Sequence, residues 1–450
     1  MTARRLALGL SGGGDSTALL LALRAALPEV TLHALIVDHG LRPESAGEAE
    51  LAAASARAAG AEARILCWPA PRAGQGHARA ARHRLLAAAA RDAGAQVLCL
   101  GHTLDDRIET LRMRAGRPGE ETRMTGPAAL DPSPAWPEGE GLILARPLLG
   151  LRREELRAYL DAAGARWIED PSNEDRAYER IRLRQTPIPP SEEELLLRRS
   201  DAAQATRARL HSRAVSLIKQ ACVLTAWGGA HLDRRAFEAA NRDVALKALE
   251  TLVLALSGAA APPAPARLEG LLTALLTGEA AAAGGACLTA GGVIGRDAGA
   301  AGRADGAEGV SALILNAGET GVFDGRWRFR VERPVRIQPL RAREAAPARD
   351  VPPALRPGLP AIHDGLDSSR LGVAGLDRIE GVTVESLAPA RIDARLLPCK
   401  PPTWFDGVKI AAHVRAALAK PVLRPNMKRD NAGPAPVQAA QDVSCGKENS

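Results

Sequence analysis

The stretch "LALGLSGGGDST" (Leu6–Thr17) most narrows what this chain can fold into. An apolar run breaks into three glycines, then an acid and two hydroxyl residues. Arg5–Leu10 reads as a strand and Ser16–Ala26 as a helix, so the glycines make a turn at a strand's carboxyl end. The first N–H groups of a helix have no intrahelical partner, and the helix dipole adds partial positive charge there. Glycines let the main chain curl close to a ligand. Ser11, Gly12, Gly13, Gly14, Asp15 and Ser16 are therefore candidate phosphate-binding residues. The segment lacks the lysine of a Walker turn, and Thr17 stands where G-x-G-x-x-G needs its last glycine. Taken as a plain turn instead, it would use Asp15 or Ser16 as the helix cap.

The alternation continues. Strands are expected at Thr31–Val37, Ala63–Trp68 and Gln96–Gly101. Helices are expected at Ser45–Ala59, His77–Ala93, Asp105–Arg114 and Arg152–Ala165. Near-continuous apolar strands such as "HALIVDH" and "QVLCLGH" suit burial on both faces. The fold class is α/β, a doubly wound parallel sheet, followed by a helical region and a smaller α+β C-terminal region. A chain of 450 residues exceeds one ordinary core. The expected division is a nucleotide-binding catalytic domain over 1–188, a helical domain over 189–285 and a C-terminal domain over 286–424. The polar tail, 425–450, lacks apolar periodicity and reads as disordered. Residues 127–141 read as a loop, and Asp324-Gly325 as the turn of a hairpin.

Net charge is +7 with a pI near 9.4, a lean toward a polyanionic partner. The six cysteines are dispersed, with no C-x-x-C pair, which argues against a zinc or redox site. No run of about 18 apolar residues is present, so no membrane span is expected and the compartment reads as cytoplasmic.

Further stretches sharpen the reading. They are "IVDHGLRPES" (Ile36–Ser45), "ARAARHR" (Ala78–Arg84), "GHTLDDRIET" (Gly101–Thr110), "RPLL" (Arg146–Leu149) and "WIEDPSNED…YERIRLR" (Trp167–Arg184). With "SGGGDS" they resemble, in order, the tRNA(Ile)-lysidine synthases of the PP-loop ATP pyrophosphatase superfamily. The resemblance covers about the first 185 residues and implies an adenine nucleotide α-hydrolase-like fold. It implies that ATP, with Mg2+, adenylates the C2 oxygen of the first-anticodon-position cytidine in a tRNA(Ile) bearing CAU. Free L-lysine then displaces AMP through its ε-amine, giving lysidine. No membrane partner is implied, and a homodimer is compatible with the reading.

By that resemblance Asp15 is a functional acid near metal and phosphate, and Asp38 and His39 line the adenosine pocket. Asp106 and Glu109, spaced i,i+3 on one helix face, would hold the substrate ammonium or orient a metal. Read structurally, Asp106 is instead part of a capping box begun by Thr103. Arg79 joins the catalytic set, and Arg82, Arg180, Arg182 and Arg184 would grip RNA phosphates. Two departures from the family pattern are Arg107, where glutamine is common, and His83, where tyrosine is frequent. The competing readings are another PP-loop tRNA-modifying enzyme, such as a thiolase, and a non-catalytic RNA-binding protein.

Overall fold

The computed structural model describes residues 4–40, 42–69, 75–115, 124–169, 182–184, 186–297, 299, 310–340, 348, 350–365 and 369–419. Arg180 and the tail from 425 lie outside the described residues. The N-terminal unit alternates β1 (Arg5–Gly9), α1 (Gly14–Ala26), β2 (Thr31–Asp38), α2 (Ser45–Ala58), β3 (Glu62–Cys67), α3 (Gln75–Asp92), β4 (Val97–Leu100) and α4 (Leu104–Arg114). Two short strands follow, β5 (Leu130–Pro132) and β6 (Ile143–Ala145), then α5 (Arg153–Ala162). The sheet order is β3-β2-β1-β4-β6-β5, parallel except for the edge pair β5–β6. Residues 127–141, read as a loop, thus contain one edge strand. Pro132 ends it, as suits a residue with no N–H to give.

The strand order reverses between β1 and β4. Ligands of open α/β sheets sit outside the carboxyl ends at such a switch point. The loop after β1 carries the three glycines, and the loop after β4 carries Gly101–Thr103. The two loops touch: a Cβ on Gly101 would lie 3.1 Å from the backbone of Asp15 and Ser16. Glycine at 101 lets β4 approach the start of α1.

The helical region opens with α6 (Pro190–Ala221), with proline at its N-terminus where no backbone donor is needed. It continues through α7 (Arg234–Ala239), α8 (Arg242–Ser257) and α9 (Pro265–Thr277). Interleaved with these helices is a five-stranded sheet, β7-β8-β11-β10-β9, built from Cys222–Leu224, Ala230–Leu232, Val293–Arg296, Ala286–Leu288 and Ala281–Ala283. Its β9–β10 hairpin spans residue 285, where the sequence reading set a boundary. Beyond it lie a four-stranded sheet formed, in order, by Leu313–Leu315 (β12), Val335–Pro339 (β15), Pro360–Asp364 (β16) and Arg370–Val373 (β17), and a three-stranded sheet. In the latter, β13 (Thr320–Phe323) and β14 (Trp327–Val331) form the expected hairpin, with Asp324 and Gly325 at φ of 50° and 61°, and β14 also pairs with Val382–Ser386 (β18). α10 (Ala388–Leu396) packs against α8.

The last described element, α11 (Gly407–Ala419), returns to the N-terminal unit and packs on α1 and α5. Phe405, Ile410 and Val414 are buried in the same core as Leu19, Leu23, Leu148, Leu156 and Leu160. The C-terminal region also docks through Trp136, whose indole N–H donates to the carbonyl of Gly325 at 2.6 Å, and through an Arg328–Glu140 ion pair. No helix among the described residues is long and apolar enough to cross a membrane.

Candidate active site

α1 begins at Gly14, and its N-cap is Gly13 in extended conformation with no side-chain cap bond. The helix therefore presents its first N–H groups uncapped. Gly12 lies at φ +81°, and a Cβ there would come within 2.6 Å of Ile168 Cδ1, so only glycine fits. The hydroxyls brace the turn. Ser16 Oγ donates to the Gly13 carbonyl at 3.0 Å and accepts from the Ser11 amide at 3.2 Å. Thr17 Oγ1 donates to the Gly12 carbonyl at 3.2 Å. Asp15 plays no part in capping.

The Asp15 side chain instead meets Arg153, the first residue of α5. Arg153 Nε donates to Asp15 Oδ2 at 3.2 Å, Nη2 to Asp106 Oδ1 at 2.6 Å and Nη1 to Glu109 Oε1 at 2.7 Å. One guanidinium thus joins three acids from two helices. The backbone N–H of Arg153 donates to Asp105 Oδ2 at 2.9 Å, which fixes where α5 begins. Glu109 also accepts from Arg184 Nε at 2.9 Å. The segment carrying Arg184 is anchored by Arg112, which donates to the carbonyls of Leu183 and Thr186 at 2.6 and 2.8 Å.

Asp106 divides its two oxygens between two tasks. Oδ2 accepts from the Thr103 amide at 2.7 Å and its hydroxyl at 2.8 Å, closing the capping box of α4. Oδ1 faces Arg153. The capping reading of this residue holds, and its other oxygen pairs with Arg153. Asp106 and Glu109 are buried, at 7% and 4% exposure. Burial raises the pKa of Asp15, with Arg153 opposing and the charge of Asp106 adding to the rise. Burial alone would weaken the charge on Arg153, but Asp106, Glu109 and Asp15 outweigh it and hold its pKa above the ordinary arginine value.

Asp38 ends β2, and its Oδ1 accepts from the Gly40 amide at 2.9 Å and the Ser45 hydroxyl at 2.7 Å. Its carboxylate therefore shapes the turn into α2. His39 beside it packs edge-on to Trp68, and its buried Nδ1 has no hydrogen-bond partner among the described residues. Burial, then Arg82, lowers the His39 pKa against the pull of Asp38, so the ring is neutral at pH 7.

Arg79 and His83 lie on α3, away from the acid cluster, and line a cleft of about 960 Å³ between the catalytic sheet, α6, α8 and α10. Arg146, Arg207, Lys247 and Arg395 add positive charge to the cleft, against Asp131 on its wall. Arg146 is held on two sides: its Nη1 pairs with Asp131 Oδ2 at 2.7 Å and its Nε approaches His102 Nδ1 at 3.3 Å. Burial and then Arg146 pull His102 down to about 3, with Asp106 opposing. Burial and the arginines Arg79, Arg82 and Arg146 pull His83 down to about 4. Arg82 sits beside Arg79, half-buried, and Arg182 is exposed.

Sequence reasoning brought Asp15, Asp106 and Glu109 to one site and missed Arg153, which joins them. A signal was present. Arg152 and Arg153 open a helix, where the dipole disfavours cations, so they mark a local surplus of negative charge. Among the described residues no group of three or more His, Cys, Asp or Glu is placed to hold a metal ion.

A family model of the PP-loop domain matches residues 1–191. The chain is 37% identical over 415 residues to a tRNA(Ile)-lysidine synthase of Caulobacter vibrioides, covering 86% of this chain and 92% of that protein. It is 35% identical over 343 residues to the tRNA(Ile)-lysidine synthase of Ruegeria pomeroyi, covering 73% and 77%. It is 45% identical over 181 residues to that of Hyphomonas neptunium, covering 40% and 49%.

Proposed function

This chain belongs to the tRNA(Ile)-lysidine synthase family, and from that premise we propose how its site carries out a two-step ligation on tRNA. ATP and a tRNA are its substrates. In the first step the C2 oxygen of the anticodon cytidine attacks the α-phosphorus of ATP, and pyrophosphate leaves. In the second, the ε-amine of free lysine attacks C2, a proton is lost from nitrogen, and AMP leaves with the oxygen. A carbonyl oxygen is a poor leaving group, whereas AMP is a good one.

The observation that carries this reading is the Arg153 bridge from Asp15, at an uncapped helix N-terminus, to Asp106 and Glu109. It sets a phosphate-binding element beside a carboxylate pair suited to an ammonium. The first amides of α1 receive phosphate. Asp15, one carboxylate beside those phosphates, fits a Mg2+ site, since that ion is often held by one or two carboxylates plus substrate phosphates. When bound, Mg2+ supplies charge neutralisation of the departing pyrophosphate. His39, whose buried Nδ1 has no partner among the described residues, suits the adenine side. Glu109 and Asp106 Oδ1 orient the amine and accept its proton.

The cationic cleft lined by Arg79, Arg207 and Arg395 is assigned to the RNA, and Arg82, Arg182 and Arg184 are proposed as further phosphate contacts, as is Arg180, which lies outside the described residues. We also propose a catalytic unit over 1–188, a cytoplasmic location and a homodimer; the boundary at 285 falls inside the β9–β10 hairpin and is not kept. The test is to incubate the full chain with ATP, lysine and tRNA(Ile) bearing CAU, then digest the RNA for mass spectrometry. The anticodon fragment should gain one lysine less one water. A fragment of unchanged mass refutes the assignment, and exchange of one oxygen for sulfur in a parallel incubation supplied with sulfide favours the thiolase reading instead.

A further inference from the structure

The acids assigned to the incoming amine already hold a cation. Asp106 Oδ1 accepts from Arg153 Nη2 at 2.6 Å, and Glu109 Oε1 accepts from Nη1 at 2.7 Å. The outer oxygen of Asp106 is engaged by Thr103, so Oδ1 is the oxygen that an ammonium would need. Glu109 carries a second guanidinium contact, from Arg184. The side chain of Arg153 is only 16% exposed. A free amino acid cannot pair with both acids while Arg153 stays where it is.

The third contact shows where Arg153 can go. Its Nε touches Asp15 Oδ2, in the first turn of α1, where nucleotide phosphates are expected. A guanidinium fork can pair bidentately with phosphate oxygens, whereas here it makes one single contact to each of three carboxylates. Resting on the reading that ATP and lysine are co-substrates, we propose that Arg153 seals the ammonium seat until nucleotide phosphates draw it toward α1. Lysine binding is then coupled to nucleotide binding. The seat opens only once nucleotide is bound, which orders the binding of the two co-substrates. Coupling of this kind is reciprocal: lysine tightens nucleotide by the same factor as nucleotide tightens lysine.

The test is calorimetric titration of lysine into the full chain, alone and with an ATP analogue carrying a methylene bridge between α- and β-phosphorus. Lysine should bind the loaded wild-type protein at least tenfold tighter than the free protein, and the analogue should gain the same factor from lysine. Arg153→Met keeps much of the side-chain length without charge. It should bind lysine with no nucleotide as tightly as loaded wild type does. Equal lysine affinity in free and loaded wild type overturns the proposal, as does full coupling in Arg153→Met. If Arg153→Met does not fold, Arg153→Lys decides: a single ammonium cannot bridge three acids, so coupling should fall below threefold, and retained tenfold coupling contradicts the idea. Absence of lysine binding in every state overturns the lysine reading itself, and this coupling with it.

Discussion

Arg153 Nη1 lies 2.7 Å from Glu109 Oε1, a contact between the start of α5 and the buried face of α4 that spans 44 residues of sequence. It ties the element after "RPLL" to the element after "GHT", and so places two of the quoted motifs in one site. Glu109→Gln keeps the shape and removes the charge. The Michaelis constant for lysine should rise at least tenfold, while single-turnover pyrophosphate release changes little. Arg153 and Arg184 lose a charged partner at a buried position, so stability should fall by about 1–3 kcal/mol. Equal losses in both half-reactions would place Glu109 in adenylation instead.

The two depressed histidines give a pH signature. His102 at about 3 and His83 at about 4 lie below the ordinary value of 6.5. Below pH 6.5 the unfolded chain binds protons that the folded chain refuses. Their stabilising contribution is therefore complete above pH 6.5 and is lost progressively as pH falls toward the folded values. Each contributes a slope of up to about 1.4 kcal/mol per pH unit within that window. Melting temperatures from pH 7 to 4.5 should fall less steeply in His102→Asn than in the wild type. Parallel profiles would show that His102 titrates normally.

Two truncations should behave in opposite ways. Ending the chain after Pro425 removes a segment too poor in apolar residues to form a core, and should leave melting temperature and activity nearly unchanged. Ending it after Thr403 removes Phe405, Ile410 and Val414 from beneath α1 and α5. Loss of one such side chain costs about 2–5 kcal/mol, so this form should melt far lower and lose ATP chemistry. Normal activity after the longer truncation would make α11 an accessory.

Much of the catalytic unit was legible because its signals are local. β1, β2, β4 and the helices between them follow apolar runs and turn residues, and their boundaries shift by only one or two residues. Asp324-Gly325 announced its hairpin through turn chemistry alone. The five-stranded sheet in the helical region was missed because strands such as Ala281–Ala283 and Cys222–Leu224 are too short to show alternation. The return of α11 to the first core depends on packing between segments far apart in sequence, which no periodicity reveals. Arg153 was hidden for a related reason: "RREEL" looks like an ordinary charged first turn until the acids of α1 and α4 are brought against it.

RNA binding should depend steeply on salt, because arginines on phosphates release counterions. Arg207 lines the cleft at 40% side-chain exposure, and Arg182 is exposed on the segment held by Arg112. Replacing both with alanine should lower the slope of log affinity against log salt by about 1–2. An unchanged slope would remove them from the proposed RNA surface.

In the proposed mechanism ATP, held at the uncapped helix N-terminus beside Asp15, adenylates the RNA before lysine acts. The direct measurement is single-turnover pyrophosphate release from ATP with tRNA(Ile) bearing CAU and no lysine, in wild type and Asp15→Asn. Asparagine caps a helix about as well as aspartate, so a capping role would leave the variant active. The account predicts close to one pyrophosphate per wild-type active site, none without tRNA, and a fall of several orders of magnitude in a folded Asp15→Asn protein. Full release by Asp15→Asn, or wild-type release that ignores the tRNA, would contradict it.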